Sequence, residues 1–239
     1  LELVQTPFKV VTISATELPQ QLAYLALHTD YSADHITGTD LTEDACGEVV
    51  IKRLLAGGRG HFGPLEHATI TLSVRCDHPT MMQFARHRLL SFDVQSLRYT
   101  GDQFIDVAEG RKDVEEVFYI RPEGIYESRD KKGYAWSVHD RIAAKERILD
   151  ACKFYNEQLT RGVAPEHARH LVPSCYLQNA LVTGNLRAWL HVFDMRTKIN
   201  AQVEIQTLAE LMLLEVQRWA PDIIGWYRTH RERKALLSP

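Results

Sequence analysis

Between Arg86 and Tyr99 the chain reads RHRLLSFDVQSLRY, which sets Arg86, His87 and Arg88 side by side directly after the apolar turn Met81-Met82-Gln83-Phe84-Ala85. Arginine suits phosphate because its planar guanidinium donates two parallel hydrogen bonds. On a helix, residues are turned by about 100° each, so Arg86 and Arg88 would point in nearly opposite directions. Either the helix ends here or the two arginines serve different ligand groups. Ser91, Asp93, Gln95, Ser96 and Arg98 follow closely, polar side chains suited to an irregular loop that hydrogen-bonds through side chains and backbone. The competing reading is a solvated basic helix end followed by a polar turn, since charge clusters usually face water.

A second concentration of polar groups runs from Asn185 to Arg196. Asn185 follows Thr183-Gly184 and is a good helix N-cap, where backbone N–H groups attract phosphate. Three helical turns then bring Arg196 to nearly the same face, about 16 Å further along. Arg187 and His191, at i and i+4, line a different face. Alternatively, Arg187, Asp194 and Arg196 are ordinary surface ion-pair residues.

Other reactive types are less organised. The pairs His61/His67 and His167/His170 lack the H-E-x-x-H spacing that binds zinc from one helix face, so no metal is expected and a metal-dependent hydrolase is a weak alternative. Cys46, Cys76, Cys152 and Cys175 lie far apart with no C-x-x-C pair, and read as inert reduced thiols of an intracellular, cytoplasmic protein. The net charge of −3 gives no general reason to expect nucleic acid or an anionic membrane. A nucleic-acid module built on Arg86, Arg88, Arg98 and Arg111 would need a continuous basic stripe, and the acidic balance argues against one. No apolar run approaches the ~20 residues of a membrane helix. The opening LELVQTPFKV has no basic segment followed by an apolar one, so no signal peptide is expected; it also lacks an initiator Met, which leaves the natural start open.

The elements that must position these residues read as α+β. Residues 8–14 predict a strand, 18–28 a helix, and Thr42 to Leu55 another helix with Thr42 as N-cap and Gly57-Gly58 as stop signal. Residues 68–76 alternate, with Ala68, Ile70, Leu72, Val74 and Cys76 against Thr69, Thr71, Ser73 and Arg75, the pattern of a half-buried strand. Pro79 suits the first turn of a helix carrying MMQFARHR, and EEVFYI (115–120) predicts a strand. From about Ser137 the pattern is helical almost to the end. Ile142, Leu149, Cys152 and Leu159 mark a long helix closed by Gly162. Pro165 opens another, and one or two more span Asn185 to about Trp219, before Pro221.

The motif around Arg86 resembles the signature of flavin-dependent thymidylate synthases, Arg-His-Arg followed by seven residues and Ser, here Ser96, continuing to Arg98-Tyr99. Upstream, His61-Phe-Gly-Pro-Leu-Glu66-His67 is similar to the family's segment around its flavin and folate site. Downstream, Ala168-Arg169-His170-Leu171-Val172-Pro173, then Asn185-Leu-Arg187, His191 and Arg196, then Ala201-Gln202-x-Glu204-Ile205-Gln206 match in order and spacing. The resemblance covers roughly residues 60–220.

That resemblance implies a single domain over 1–239 with the family's α+β fold, a mixed sheet early and a predominantly helical C-terminal half. It implies reductive methylation of dUMP to dTMP, with 5,10-methylenetetrahydrofolate as carbon donor, FAD reduced by NADPH as reductant, and tetrahydrofolate as product. The dUMP site would use Gln83, Arg86, Ser96, Leu97, Arg98, Arg169 and Arg196, with Arg196 catalytic through charge stabilisation of the uracil. The FAD site would use Gly63, Arg86, His87, Arg88, Asn185, Arg187 and His191. A homotetramer with active sites between subunits is implied, and the two-faced helix from Asn185 to Arg196 agrees with it. Ser96 is expected to bind rather than attack, because no His or Asp is placed in sequence to activate it. Asp93 stands where the family usually has Asn, Val94 replaces a polar residue, and Gly63 replaces a hydroxyl residue. Gln95 is the polar neighbour placed to act in place of Val94, and a backbone N–H could serve at Gly63. A nucleotide-binding relative without turnover is the reading that these departures leave open.

Overall fold

The computed structural model describes residues 6–57, 60–127 and 132–234. Its chain folds into two compact units. One comprises Lys9–Val74, Gln83–Asp93 and the chain from Ala180 on; the other comprises Arg75–Met82 and Val94–Asn179, with the residues up to Phe8. Gly58, half of the expected stop signal, and residues 1–5 lie outside the described residues.

The first unit starts with strand β1 (Lys9–Ala15), then helices α1 (Pro19–Thr29) and α2 (Glu43–Val50). Thr42 caps α2 as expected, its hydroxyl accepting from the Ala45 N–H at 3.3 Å. The helix does not run on as regular α to Leu55: Ile51–Leu55 widens into a π turn, with Ala56 N–H reaching Ile51 O at 2.8 Å. A short 3-10 turn, Gly63–Glu66, leads into β2 (Thr69–Asp77), where Ile70, Leu72, Val74 and Cys76 are fully buried, as the alternation predicts. Helix α3 (His78–Phe84) and strand β3 (Ser91–Val94) follow, and the four-stranded sheet has the order β1-β2-β6-β3, with β6 spanning Leu177–Asn185.

Strand β6 departs from the expectation of continuous helix after Ser137. Ala180, Val182 and Gly184 turn inward while Asn179 and Leu181 turn outward. Small inward residues and an outward Leu hide a strand period from a reading based on large apolar side chains. Strand β3 likewise replaces part of the irregular loop expected after Arg88. Helices α8 (Leu186–Arg196), α9 (Val203–Trp219) and α10 (Pro221–His230) complete this unit. Their apolar stripes bury Trp189, Phe193, Leu208, Met212, Val216 and Tyr227.

The other unit carries α4 (Asp102–Ala108), α5 (Val114–Val117), the hairpin of β4 (Gly124–Glu127) and β5 (Gly133–Trp136), α6 (Val138–Thr160) and α7 (Pro165–Ala168). Residues 115–120 are not a strand. Asp113 and Glu116 form a capping box that nucleates a helical turn, and only Phe118 makes a bridge, to Tyr176. Ser137 caps α6 through a second box with Asp140, and Gly162, at φ +86°, closes it. The buried face of α6 is Ile148, Cys152 and Tyr155; Ile142, expected inside, is exposed. Those side chains pack with Leu97, Phe104 and Phe118 into one apolar cluster.

Candidate active site

Helix α3 ends at Phe84, which settles the geometry of the Arg-His-Arg run: it lies on successive turns, His87 N–H to Phe84 O and Leu90 N–H to His87 O, both 3.1 Å. Phe84 is buried against Phe92 and Trp189 and fixes the start of the turn. Leu90 fixes its end. A Cβ on Gly184 would stand 2.2 Å from the Leu90 side chain and 3.1 Å from the Trp189 ring nitrogen, so only glycine admits this packing. The result turns Arg86 and Arg88 outward and His87 inward.

His87 is 6% exposed, and its ring meets the His191 ring edge-on at 5.4 Å. Arg196, in the last turn of α8, donates from Nε to His87 Nε2 at 2.8 Å and from Nη2 to the Gln83 carbonyl at 2.8 Å. A ring nitrogen that accepts carries no proton, so His87 is neutral with its hydrogen on Nδ1. Burial pushes the His87 pKa down to about 4, with Arg196 and then His191 adding to the effect. Burial, then the nearby charge of Arg86, also lowers that of Arg196. Arg196 is therefore a partly desolvated, immobilised cation held by a neutral ring and a carbonyl. Such a cation keeps its charge for a ligand. Of the expected surface-pair alternative only Arg187 fits, paired with Glu66 on the surface; Asp194 is instead buried, paired with Arg231 at 2.8 Å.

Gln83 is tied down by a chain not anticipated from the sequence. Its Nε2 donates to Gln202 Oε1 at 2.6 Å, and Gln202 Nε2 donates to Glu204 Oε2 at 2.8 Å. Gln202 and Glu204 belong to the Ala-Gln-x-Glu segment, but their link to Gln83 spans more than a hundred residues and leaves no local signal.

Gly63 lines a cleft of about 750 Å³ with Pro64, Glu66, His67 and the hydrogen-bonded side chains of His61 and Asp30, at 2.8 Å. A Cβ there would meet nothing within 4 Å. The Arg187–Glu66 pair ties the Gly63–Glu66 turn to the start of α8, where Asn185 Oδ1 accepts from the Ala188 N–H at 2.9 Å. Asn185 is thus the expected cap, its oxygen spent on the helix and its amide nitrogen left for a ligand.

In the other unit, Ser96 and Leu97 open a turn in which Tyr99 N–H reaches Ser96 O at 3.1 Å. Among the described residues no His or Asp is hydrogen-bonded to Ser96 Oγ. The Leu97 side chain belongs to the apolar cluster, so its expected nucleotide contact reduces to its backbone. Arg169 Nε donates to the Glu166 carbonyl at 3.3 Å, and the Glu166 carboxyl is held below the ordinary range first by its own backbone N–H, then by the charges of Arg98, His167 and Arg169. Gln95 is a poor substitute for a polar side chain at Val94, because its Oε1 accepts from both the backbone and side-chain nitrogens of Asn179 at 3.0 Å. Arg111, invoked for nucleic acid, is neutralised by Asp106 and Glu109. The His167 and His170 rings lie 6.5 Å apart, and among the described residues no group of three His, Cys, Asp or Glu could hold a metal. Nor, among those residues, is any helix long and apolar enough to cross a membrane. Burial raises the thiols, Cys152 to about 12 and Cys175 to about 11, consistent with inert cysteines.

Residues 12–222 match the family described as thymidylate synthase complementing protein. The flavin-dependent thymidylate synthase of Halobacterium salinarum is 32% identical over 97% of this chain and 100% of its own length. That of Haloarcula marismortui is 34% identical over 96% and 99%. The UMP/dUMP methylase PolB of Streptomyces cacaoi, solved with 5-Br dUMP, superposes with a TM-score of 0.77 at 21% identity over 98% of each chain, which shows the shared fold. With its Arg-His-Arg turn and immobilised Arg196 set on that fold, the chain belongs to the flavin-dependent thymidylate synthase family, a family of methyltransferases.

Proposed function

We propose that this protein methylates dUMP to dTMP, taking the carbon from 5,10-methylenetetrahydrofolate, using FAD reduced by NADPH, and releasing tetrahydrofolate. The observation that carries the reading is Arg196, a guanidinium held by the neutral His87 ring and the Gln83 carbonyl rather than by a carboxylate. For the uracil ring to attack an electrophilic carbon, charge must build on its carbonyl oxygens and N3. A preorganised cation beside them lowers that cost. His87 serves this role indirectly, since a neutral acceptor orients Arg196 without competing for the developing negative charge.

FAD, when bound, supplies the reducing equivalents that complete the methyl group. Arg86 and Arg88 would meet its diphosphate; Gly63, His87, Asn185, Arg187 and His191 would line the rest. Arg86 also serves dUMP, with Gln83, Ser96, the Leu97 backbone, Arg98 and Arg169, the last two being a cationic pair suited to a phosphate dianion. The chain is read as one functional domain over residues 1–239, in a cytoplasmic homotetramer whose sites form between subunits. Family membership and the two polar faces of α8 support this assembly. Arg196→Ala tests the central assignment: dTMP formation should be abolished while FAD stays bound, and unimpaired turnover would remove Arg196 from the mechanism.

A further inference from the structure

We infer that Arg231 is a positioning residue for Arg196: it holds the last turn of α8 from behind, through Asp194, and so keeps the Arg196 guanidinium on His87 and the Gln83 carbonyl. The inference rests on the role proposed for Arg196. A helix end lacks onward backbone hydrogen bonds and frays unless side chains tie it down. The last turn of α8 runs from Phe193 to Thr197, and its outer side is open, with Met195 and, just beyond the turn, Ile199 exposed. Its inner side is Phe193, Asp194 and Thr197, all buried, and each meets a residue in or just after α10. The Phe193 and Tyr227 rings lie 6.0 Å apart. The Tyr227 hydroxyl is buried beside Thr197 and Asp194. Arg231, the residue that ends α10, donates from Nη2 to Asp194 Oδ2 at 2.8 Å.

Asp194 Oδ1 is buried with no hydrogen-bond partner among the described residues, so Arg231 supplies the main compensation for burying this carboxylate. A buried ion pair contributes little net stability, because desolvation offsets its attraction, but a buried charge parted from its partner is costly. The pair therefore fixes a register: α8 is held at the rotation where Asp194 meets Arg231. Arg196 lies two residues further on, about 200° round the helix and so on the opposite side. A rotation of the turn that parts Asp194 from Arg231 would also carry Arg196 Nε away from His87 Nε2, now at 2.8 Å.

The experiment replaces the pair by apolar groups, Asp194→Leu/Arg231→Leu, which removes both buried charges together and so leaves stability near that of the natural protein. Two readings are taken on the full chain loaded with FAD: kcat for dTMP formation, and the titration of the His87 ring followed by NMR. With the turn free to rotate, Arg196 leaves His87. The kcat should fall on the order of tenfold to a hundredfold, and the His87 pKa should rise from about 4 toward its ordinary value of 6.5. FAD content should hold, because Asn185 and Arg187 lie at the far end of α8. A pair that only stabilises the fold gives the opposite pattern, a changed melting temperature with kcat and the His87 titration as in the natural protein, and that result overturns the inference. Should the double variant fail to fold, Arg231→Gln is read by the same two measurements, with the same expectation and the same overturning result. If the natural protein forms no dTMP, the proposed function falls, and the His87 titration alone decides whether Arg231 positions Arg196.

Discussion

Lowering the pH should destabilise this protein through His87 in particular, and the size of the effect follows from its surroundings. Unfolded, the imidazole takes a proton near its ordinary pKa of 6.5; folded, burial, Arg196 and His191 hold it to about 4. The unfolded chain therefore binds the extra proton as pH falls below 6.5, and stability is lost through that window until the folded pKa is reached. Above pH 6.5 the group contributes no slope. Each unit of difference is about 1.4 kcal/mol, so between pH 7 and pH 5 His87 alone should cost about 2 kcal/mol. The comparison is with His87→Gln, whose side-chain oxygen can still accept from Arg196 Nε but does not titrate. Urea unfolding of both proteins at the two pH values cancels the contributions of every other group. The natural protein should lose about 2 kcal/mol more than the variant. Equal losses would show that His87 titrates normally, and that the Arg196–His87 bond does not exist as described.

Two other perturbations probe separate parts of the site. Gly184→Ala places a methyl against Leu90 and Trp189; Leu90 can yield but the ring cannot, so thermal unfolding should show a loss of about 1–3 kcal/mol together with weakened FAD retention, because the Arg-His-Arg turn is displaced. A stable, fully loaded variant would mean that the turn does not depend on this packing. The raised thiols of buried Cys152 and half-buried Cys175 should resist alkylation by iodoacetamide at pH 8 in the folded protein, with activity retained; rapid labelling with loss of turnover would reopen a cysteine role.

Much of the fold was legible where one physical signal dominated. The alternation of residues 68–76 places β2, Thr42 and Asn185 are the caps they resemble, and Gly162 closes α6 where expected. The failures share a cause: a weaker pattern sits beside a stronger one. In β6 the inward positions are Ala180, Val182 and Gly184, too small to register as a period, inside a stretch otherwise rich in helix signals. At 115–120 the β-prone Val, Phe and Tyr mask the Asp113/Glu116 capping box just before them. For the site, residue types and spacing single out Arg86, His87 and Arg196 as candidates, and Gln83 enters only through the family resemblance. They cannot show that His87 is neutral, that Arg187 is taken up by Glu66, or that Leu97 is a core side chain, since these depend on partners far away in sequence. The Gln83–Gln202–Glu204 chain is the clearest case, visible only once folding brings Gln202 and the start of α9 to the end of α3.

The most direct test is optical. Protein loaded with FAD and bleached anaerobically with NADPH should regain its yellow absorption when dUMP and 5,10-methylenetetrahydrofolate are added together, with dTMP appearing in proportion. A protein that takes up no flavin, or one whose colour never returns in response to the nucleotide and folate, would contradict the account.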